Sequence, residues 1–139
     1  MVKATAQSKI RDIMVTRVAT IDIDTPLKEI KDIFEKARFH HLPVLDNGNL
    51  VGVISDRDVL RAISPFLGTL SERATDTATL NKKAHQIMSR QPITARPDET
   101  VKSAADIMLV KRLSCLPVME KNKLVGILTL KDIVKALVS

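Results

Sequence analysis

The sequence predicts an α+β protein that is built from two copies of one folded unit. Residues 11–63 align with residues 85–137 at a constant offset of 74 positions, which places Met14 on Met88. Because the alignment runs without a gap through segments with helix-like and strand-like spacing, both copies should fold alike. Two similar units in one chain tend to pack about a pseudo-two-fold axis, and the crevice between them is a natural ligand site. Other identical pairs include Thr20/Thr94, Leu42/Leu116, Pro43/Pro117, Val44/Val118, Gly52/Gly126 and Asp58/Asp132.

The first copy is predicted to contain a helical turn, a strand, a helix, a two-stranded hairpin and a closing helix. Ser8 is a candidate cap for the turn. Asp24 or Thr25 caps the first long helix, with Pro26 in its first turn. Asp-Asn-Gly-Asn at 46–49 is typical of a hairpin turn. The predicted ranges are 9–14 for the turn, 18–23 for the strand, 27–37 for the helix, 42–45 and 50–54 for the hairpin and 56–63 for the closing helix.

The second copy repeats this order after a connecting segment. A Pro, a Gly and frequent Ser and Thr between residues 64 and 83 predict that the connection is an exposed linker. Asp98 begins the second long helix. We therefore divide the chain into a first repeat at 8–66, a linker at 67–81 and a second repeat at 82–139. The remaining elements of the second repeat are predicted at 92–95, 116–119 and 124–128 for the strands and 130–138 for the closing helix.

The composition is typical of a soluble globular protein. Of 139 residues, 45% are hydrophobic and 27% are charged, and the chain has three Phe but no Trp or Tyr, so we expect an aliphatic core. No apolar run is long enough to cross a membrane, and the first residues lack the apolar stretch of a signal peptide. With one cysteine, this pattern predicts a cytoplasmic protein without a disulfide. The net charge of +6 favours an anionic ligand.

Each repeat ends in the same short motif: Gly, two apolar residues, a hydroxyl residue, two variable residues and Asp. The hydroxyl and the carboxylate are Ser55 and Asp58 in the first repeat, and Thr129 and Asp132 in the second. Because they lie three residues apart where a strand gives way to a helix, they should meet at the helix N-terminus. Two interpretations are open. The motif is a helix cap that needs no ligand, or its carboxylate accepts hydrogen bonds from two ribose hydroxyls.

The repeat, the Leu-Pro-Val strands and these endings together resemble the tandem cystathionine-β-synthase (CBS) domain pair, or Bateman module, over residues 8–139. Asp-Ile-Met at 12–14 and Gln-Ile-Met at 86–88 add to the likeness, which includes bacterial acetoin-utilisation CBS proteins. The resemblance implies two β-α-β-β-α repeats packed about a pseudo-two-fold axis. It also implies clefts between them that bind adenine nucleotides or S-adenosylmethionine as regulatory ligands, with no cofactor required.

The resemblance further implies which residues form the ligand site. In the family, the hydroxyl and the Asp of the ending contact ribose and phosphate, a threonine that closes the first strand lies beside the adenine, and the two residues before Leu-Pro-Val reach the phosphates. We add the basic residue within each ending. The candidates are Thr20, His40, His41, Ser55, Arg57 and Asp58 in the first repeat, and Thr94, Ser114, Cys115, Thr129, Lys131 and Asp132 in the second.

The two repeats differ just before Leu-Pro-Val, where the first has His40-His41 and the second has Ser114-Cys115. Neighbouring residues on a strand face opposite ways, so we expect one exposed and one partly buried histidine. No third ligand lies nearby in sequence, so no metal site is predicted. Our hypothesis is that the cleft of the first repeat takes the more highly phosphorylated ligand, with help from a histidine and Arg57.

Cys115 also has two interpretations. Its apolar neighbours favour a small buried hydrophobic residue, and nearby Lys111 and Arg112 would favour a reactive thiol. The chain has no phosphate-binding Gly-rich loop of the P-loop type and no carboxylate pair with a catalytic rationale, so the sequence predicts a protein that is not an enzyme.

These observations favour a free-standing regulatory sensor that binds an adenosine-containing ligand and changes the conformation of a homodimer. A separate effector protein would detect the change, and an apolar strip on the closing helices (Val59, Ile63, Ile133 and Leu137) would serve self-association. One alternative is a structural dimerisation module with empty clefts. Another is a nucleic-acid-binding module, which the pI near 9.7 favours but the shortage of aromatic residues for base stacking opposes.

Overall fold

The computed structural model describes residues 3–139 and divides into two compact units. The central unit comprises Ala19–Gln91, and the terminal unit joins the N-terminal segment as far as Val18 to Pro92–Ser139. Each unit therefore combines the segment that begins one repeat with the hairpin and helices of the other repeat. Both units contain β-strands and α-helices, so the predicted α+β class is confirmed.

The central unit is built on a four-stranded sheet with strand order β1-β2-β3-β4. Strand β1 runs parallel to β2, and the other neighbouring pairs are antiparallel. The elements in chain order are β1 (Ile21–Asp22), α1 (Leu27–Lys36), β2 (His41–Asp46), β3 (Asn49–Ser55), α2 (Asp56–Ala62), α3 (Ala74–Ala78), a 3-10 turn (Thr79–Asn81), α4 (Ala84–Ile87) and β4 (Ser89–Arg90).

The terminal unit repeats this plan, but its sheet has two strands, and single bridges take the place of the two edge strands. Strands β5 and β6 form an antiparallel hairpin. Single bridges from Ala95 to Val118 and from Val15 to Ile127 occur where the central unit has the β1–β2 and β3–β4 pairs. The elements are a 3-10 turn (Ile10–Asp12), α5 (Val101–Lys111), β5 (Cys115–Glu120), β6 (Lys123–Thr129) and α6 (Leu130–Val138).

The predicted caps of the first turn and helix are wrong. The Ser8 hydroxyl accepts the N–H of Thr5, and the 3-10 turn follows Lys9 without a side-chain cap. The Thr25 hydroxyl accepts the N–H of Asp22, so it closes a turn before α1, whose N-cap residue is Pro26. Short polar side chains often bond to backbone groups in turns instead of capping a nearby helix.

The start predicted for the second long helix is also wrong. Helix α5 begins at Val101, and the Thr100 hydroxyl accepts the N–H of Ser103 as its cap. Asp98 lies before this cap, in the loop that precedes the helix.

Each unit encloses its own buried aliphatic cluster, in agreement with the expected composition of the core. The leading segments contribute to both clusters, since Ile10 is buried in the terminal unit and Ala84 in the central unit. The other members of the two clusters are Ile21, Leu27, Ile30, Leu42, Val44, Ile54 and Val59 in the central unit, and Ala95, Val101, Ala104, Met108, Leu116, Val118, Leu128 and Ile133 in the terminal unit.

The apolar strip predicted for self-association is wrong. Val59 and Ile133 are buried at 5% and 3% exposure, and Ile63 and Leu137 pack against the same clusters. These four residues therefore lie on the inward faces of α2 and α6 and do not form a surface strip. The exposed apolar side chains of α2 and α6 are Leu60, Leu130, Val134 and Val138.

The segment between the repeats is largely exposed and contains α3 and the following 3-10 turn. It is tied to the end of α2, since the Ser64 hydroxyl donates to Asp76 over 2.6 Å and Lys82 Nζ donates to the Ala62 carbonyl over 3.0 Å. Among the described residues, no helix is long and apolar enough to cross a membrane.

We expect Gly126→Ala to destabilise the protein by about 1–3 kcal/mol, because an added Cβ would lie 2.9 Å from the Val15 carbonyl oxygen and 2.7 Å from Met14 Sδ. The thioether can move, but the carbonyl belongs to a backbone bridge between Val15 and Ile127. Urea denaturation measures the loss in the free energy of unfolding for Gly126→Ala. The double variant with Met14→Ala removes the contact with the thioether and leaves the contact with the Val15 carbonyl. If the cost is smaller than about 0.5 kcal/mol, the close backbone approach is not a real constraint.

Candidate functional site

The junction between the second hairpin strand and the helix that follows it, β3–α2 in the central unit and β6–α6 in the terminal unit, is closed by a reciprocal cap. In the central unit, the Ser55 hydroxyl accepts the N–H of Asp58 over 3.2 Å, and the Asp58 carboxylate accepts the N–H of Ser55 over 2.8 Å. In the terminal unit, Thr129 and Asp132 make the same two bonds over 3.1 and 3.0 Å. Each cap satisfies two backbone N–H groups that would otherwise lack partners at a helix start.

The cap leaves acceptor capacity on both carboxylates. The cap bond uses one oxygen of Asp58, and the other lies 4.0 Å from the guanidinium of Arg61. The second oxygen of Asp132 has no hydrogen bond or ion pair within the described residues, and Asp132 lines a cleft of about 670 Å³. Because an ionised carboxylate can accept several hydrogen bonds, the capping and ribose interpretations are compatible.

The sheet places the residues before Leu-Pro-Val beside each cap. His41 is the cross-strand partner of Ser55, and the carbonyl of His40 accepts the N–H of Asp56 over 3.0 Å. The same register pairs Cys115 with Thr129. The Ser114 carbonyl accepts the N–H of Leu130 over 2.9 Å. Each unit thus gathers the hydroxyl, the Asp and the residue pair at one end of its sheet.

The two histidines have different surroundings, one exposed and one half-buried as predicted, although His40 lies just before β2. His40 is exposed, and its Nδ1 lies 2.9 Å from a carboxylate oxygen of Asp56. His41 is half-buried, and desolvation lowers its pKa below the ordinary value of 6.5. The charge of His40 acts in the same direction, whereas Asp56 and Asp58 oppose it. The central unit therefore holds a compact group of ionisable side chains at this end of its sheet.

The terminal unit lacks this group of charges at the matching positions. Leu130 replaces Asp56, and Ser114 and Cys115 replace the histidines. Burial and the charge of Asp132 raise the pKa of the Cys115 thiol from 9.0 to about 12. A neutral, half-buried thiol favours the interpretation of Cys115 as a small hydrophobic residue over that of a reactive thiol.

The remaining candidates lie in the same units but, among the described residues, form no side-chain hydrogen bond with the caps. Arg57 and Lys131 are exposed in the first turns of α2 and α6. Thr20 and Thr94 are exposed just before β1 and the Ala95 bridge, and among the described residues neither is hydrogen-bonded to a cap. Over the same part of the chain, no group of three or more His, Cys, Asp or Glu residues could hold a metal ion.

Sequence reasoning missed three residues that contribute to these sites. Asp56 binds His40, and Arg61 approaches Asp58. In the terminal unit, Asp12 lines the cleft that also contains Asp132. The spacing of Arg61, three residues after Asp58 on a helix, was a usable signal. The other two contacts join segments that are distant in sequence.

His41 should make the protein less stable in acid. Its folded-state pKa is lower than its unfolded value, so the unfolded state binds more protons as the pH falls below about 6.5. We expect the free energy of unfolding to decline from that pH until the lower folded-state pKa is passed. Urea denaturation between pH 7.5 and 5 should show a smaller decline for His41→Gln, while the control His40→Gln keeps most of it. Equal profiles for wild type and His41→Gln would contradict this assignment.

Cys115 should resist alkylation in the folded protein. A pKa of about 12 instead of 9.0 lowers the thiolate fraction at pH 8 by about a thousandfold. Mass spectrometry after iodoacetamide treatment should detect little modification until denaturant is added. Comparable modification rates with and without denaturant would show that the thiol is accessible and reactive.

Comparisons with known proteins identify both repeats. The family model for the CBS domain matches residues 10–65 and 84–139. A CBS domain-containing protein of Dictyostelium discoideum is 35% identical over 132 residues, which cover 93% of this chain and 90% of that protein. Homoserine O-acetyltransferase of Methanococcoides burtonii is 37% identical over 132 residues, but these cover 91% of this chain and only 23% of the enzyme.

Two solved structures cover nearly the whole chain. The acetoin utilization protein AcuB from Vibrio cholerae superposes with a TM-score of 0.78 at 26% identity, covering 95% of this chain and 91% of that one. The CBS domain pair of protein MJ0100, in complex with 5′-methylthioadenosine and S-adenosyl-L-methionine, superposes with a TM-score of 0.76 at 30% identity. The match covers 93% of this chain and 94% of that one. The chain therefore belongs to the CBS domain family and carries a tandem pair of these domains.

Proposed function

We propose that this chain is a regulatory sensor that binds an adenosine-containing ligand at the capped strand–helix junctions. The observation that carries the proposal is the second oxygen of Asp132, which the cap leaves without a partner in the described residues, on a residue that lines a cleft. The related domain pair of MJ0100 holds two ligands that both contain adenosine. A carboxylate beside a helix start is suited to accept both hydroxyls of a ribose.

The proposed site in each unit consists of a ribose-binding cap, a threonine beside the base and polar groups for the rest of the ligand. In the central unit, the two histidines and Arg57 would bind phosphate groups. The matching residues of the terminal unit are Ser114, Cys115 and Lys131, so only one of the three is basic there. We propose that the central unit takes the more highly phosphorylated ligand. The full set is Thr20, His40, His41, Ser55, Arg57 and Asp58 in the central unit, and Thr94, Ser114, Cys115, Thr129, Lys131 and Asp132 in the terminal unit.

The proposed mechanism is a shift in population between conformations of a homodimer. A ligand changes such an equilibrium only to the extent that it binds one conformation more tightly than the other. No covalent step is proposed, because the neutral thiol of Cys115 and the capped carboxylates suit binding better than catalysis. A separate cytoplasmic effector protein would respond to the new conformation.

Isothermal titration with AMP, ADP, ATP and S-adenosylmethionine tests the proposal. Asp132→Asn and Asp58→Asn keep an oxygen for the cap but remove the carboxylate charge, so we expect each to weaken binding at its own site by about 1.5–3 kcal/mol. Asp106→Asn, an exposed carboxylate on α5, is the control.

Three outcomes separate the proposal from its alternatives. Binding that both cap variants weaken supports the sensor. Changes below a few tenths of a kcal/mol in both variants would show that the carboxylates serve only as caps. If none of the four ligands binds the wild-type protein, a structural dimerisation module becomes the better explanation. Where a ligand binds, sedimentation velocity with and without that ligand measures whether the dimer changes.

A further inference from the structure

We propose that the terminal unit carries a second site, a phosphate-binding cleft at the turn end of its β-hairpin. The cleft has a volume of about 390 Å³, and three separate segments line it. They are the 3-10 turn with Arg11, the loop Arg96–Asp98 and the hairpin turn with Lys121. Thr129 lies at the opposite end of β6, six residues from Lys123, so this cleft is about 20 Å from the proposed ribose site.

One cationic residue from each of the three segments lines this cleft, namely Arg11, Arg96 and Lys121. Arg96 pairs through Nε with Asp98 over 3.6 Å, which leaves its terminal amino groups free of that contact. Among the described residues, neither Arg11 nor Lys121 has an ion pair. Arginine is charged throughout the physiological pH range, and its planar fork fits two phosphate oxygens at once.

Backbone hydrogen bonds hold the three segments together. The N–H groups of Ile10 and Arg11 donate to the carbonyls of Glu99 and Pro97 over 2.9 and 3.0 Å, which joins the first segment to the loop. The N–H of Met119 donates to the Ala95 carbonyl over 2.8 Å, which joins the hairpin to the same loop. Because the backbones that carry the cations are already positioned, binding an anion requires only side-chain ordering.

The acidic residues at the cleft do not cancel this charge. Asp98 is occupied by Arg96, and Glu120 lies opposite Lys123 in the strand register. Among the residues that line the cleft, three cations face two carboxylates. An anion with two or more negative charges benefits most from this surplus.

The matching positions of the central unit provide an internal comparison. Arg11, Arg96 and Lys121 align with His85, Asp22 and Asn47, so the same fold exists without this group of cations. The charge is therefore a property of these side chains and does not follow from the architecture of the repeat. A small phosphate compound, such as a phosphate monoester or a diphosphate, matches both the charge and the volume of the cleft.

Titration of the full chain with inorganic pyrophosphate tests this proposal by amide chemical shifts. We expect saturable shifts at Arg11, Asp98, Lys121 and Asn122 that persist when AMP is present in excess. The double variant Arg11→Gln/Lys121→Gln should weaken binding about tenfold, because it removes two charge-assisted contacts. All of these side chains are exposed or in surface turns, so an unchanged spectrum elsewhere confirms the fold of the variant.

The control variant Lys102→Gln/Lys111→Gln removes the same charge from exposed positions of α5, outside both clefts of the terminal unit, and should weaken binding less than twofold. Equal weakening in both double variants would show only diffuse attraction to a basic protein and would overturn the proposal. The absence of saturable shifts at the cleft would overturn it as well. Because the test uses pyrophosphate and reads residues far from the caps, its failure leaves the proposed adenosine sites unaffected.

Discussion

The reciprocal cap at the strand–helix junction is the constraint on which both candidate ligand sites depend. Two hydrogen bonds in each cap fix the direction in which α2 leaves β3 and α6 leaves β6. The same bonds fix Asp58 and Asp132 beside the first residues of β2 and β5. A hydroxyl alone would cap the helix, but the carboxylate at the third helical position adds a group with acceptor capacity to spare. In the proposed sites, the capping and ligand-binding roles therefore fall on the same carboxylates.

The second organising feature is that each compact unit takes its leading segment from the other repeat. Met88 and Ser89 pack against Gly52 in the central unit, and Met14 and Val15 pack against Gly126 in the terminal unit. The absence of a side chain at both glycines lets the incoming backbone approach the sheet closely. The buried Ile10 and Ala84 show that the leading segments also supply core residues. Neither repeat completes a compact unit with its own sequence alone.

The two units show how one scaffold supports different chemistry at its two ends. At the cap end, the central unit has an ion pair between His40 and Asp56 and a half-buried second histidine, where the terminal unit has Cys115 with a raised pKa. At the turn end the contrast is reversed, since the cations gather in the terminal unit. The hairpin register is shared, so the difference in charge between the two units comes from substitution at a few positions.

The sequence alone determined the repeat, the long helices, the hairpins and the capped endings, but it placed a strand at 92–95 where the structure has only the Ala95 bridge and missed β4. These features depend on contacts between residues close in the chain and on apolar spacing, which a sequence displays directly. It also carried the motifs that identify the CBS family. The predicted helix starts were less accurate, because the hydroxyls of Thr25 and Ser8 accept backbone N–H groups of nearby turns and do not cap the helices that follow.

Only the tertiary structure decided which segments share a unit and which side chains meet across long separations. The exchange of leading segments, the buried face of the closing helices and the joining of Arg11 to the loop at Arg96 all depend on packing between residues that lie far apart in the chain. The raised pKa of Cys115 also depends on the tertiary structure, because the thiol becomes buried and approaches Asp132 only after the chain has folded.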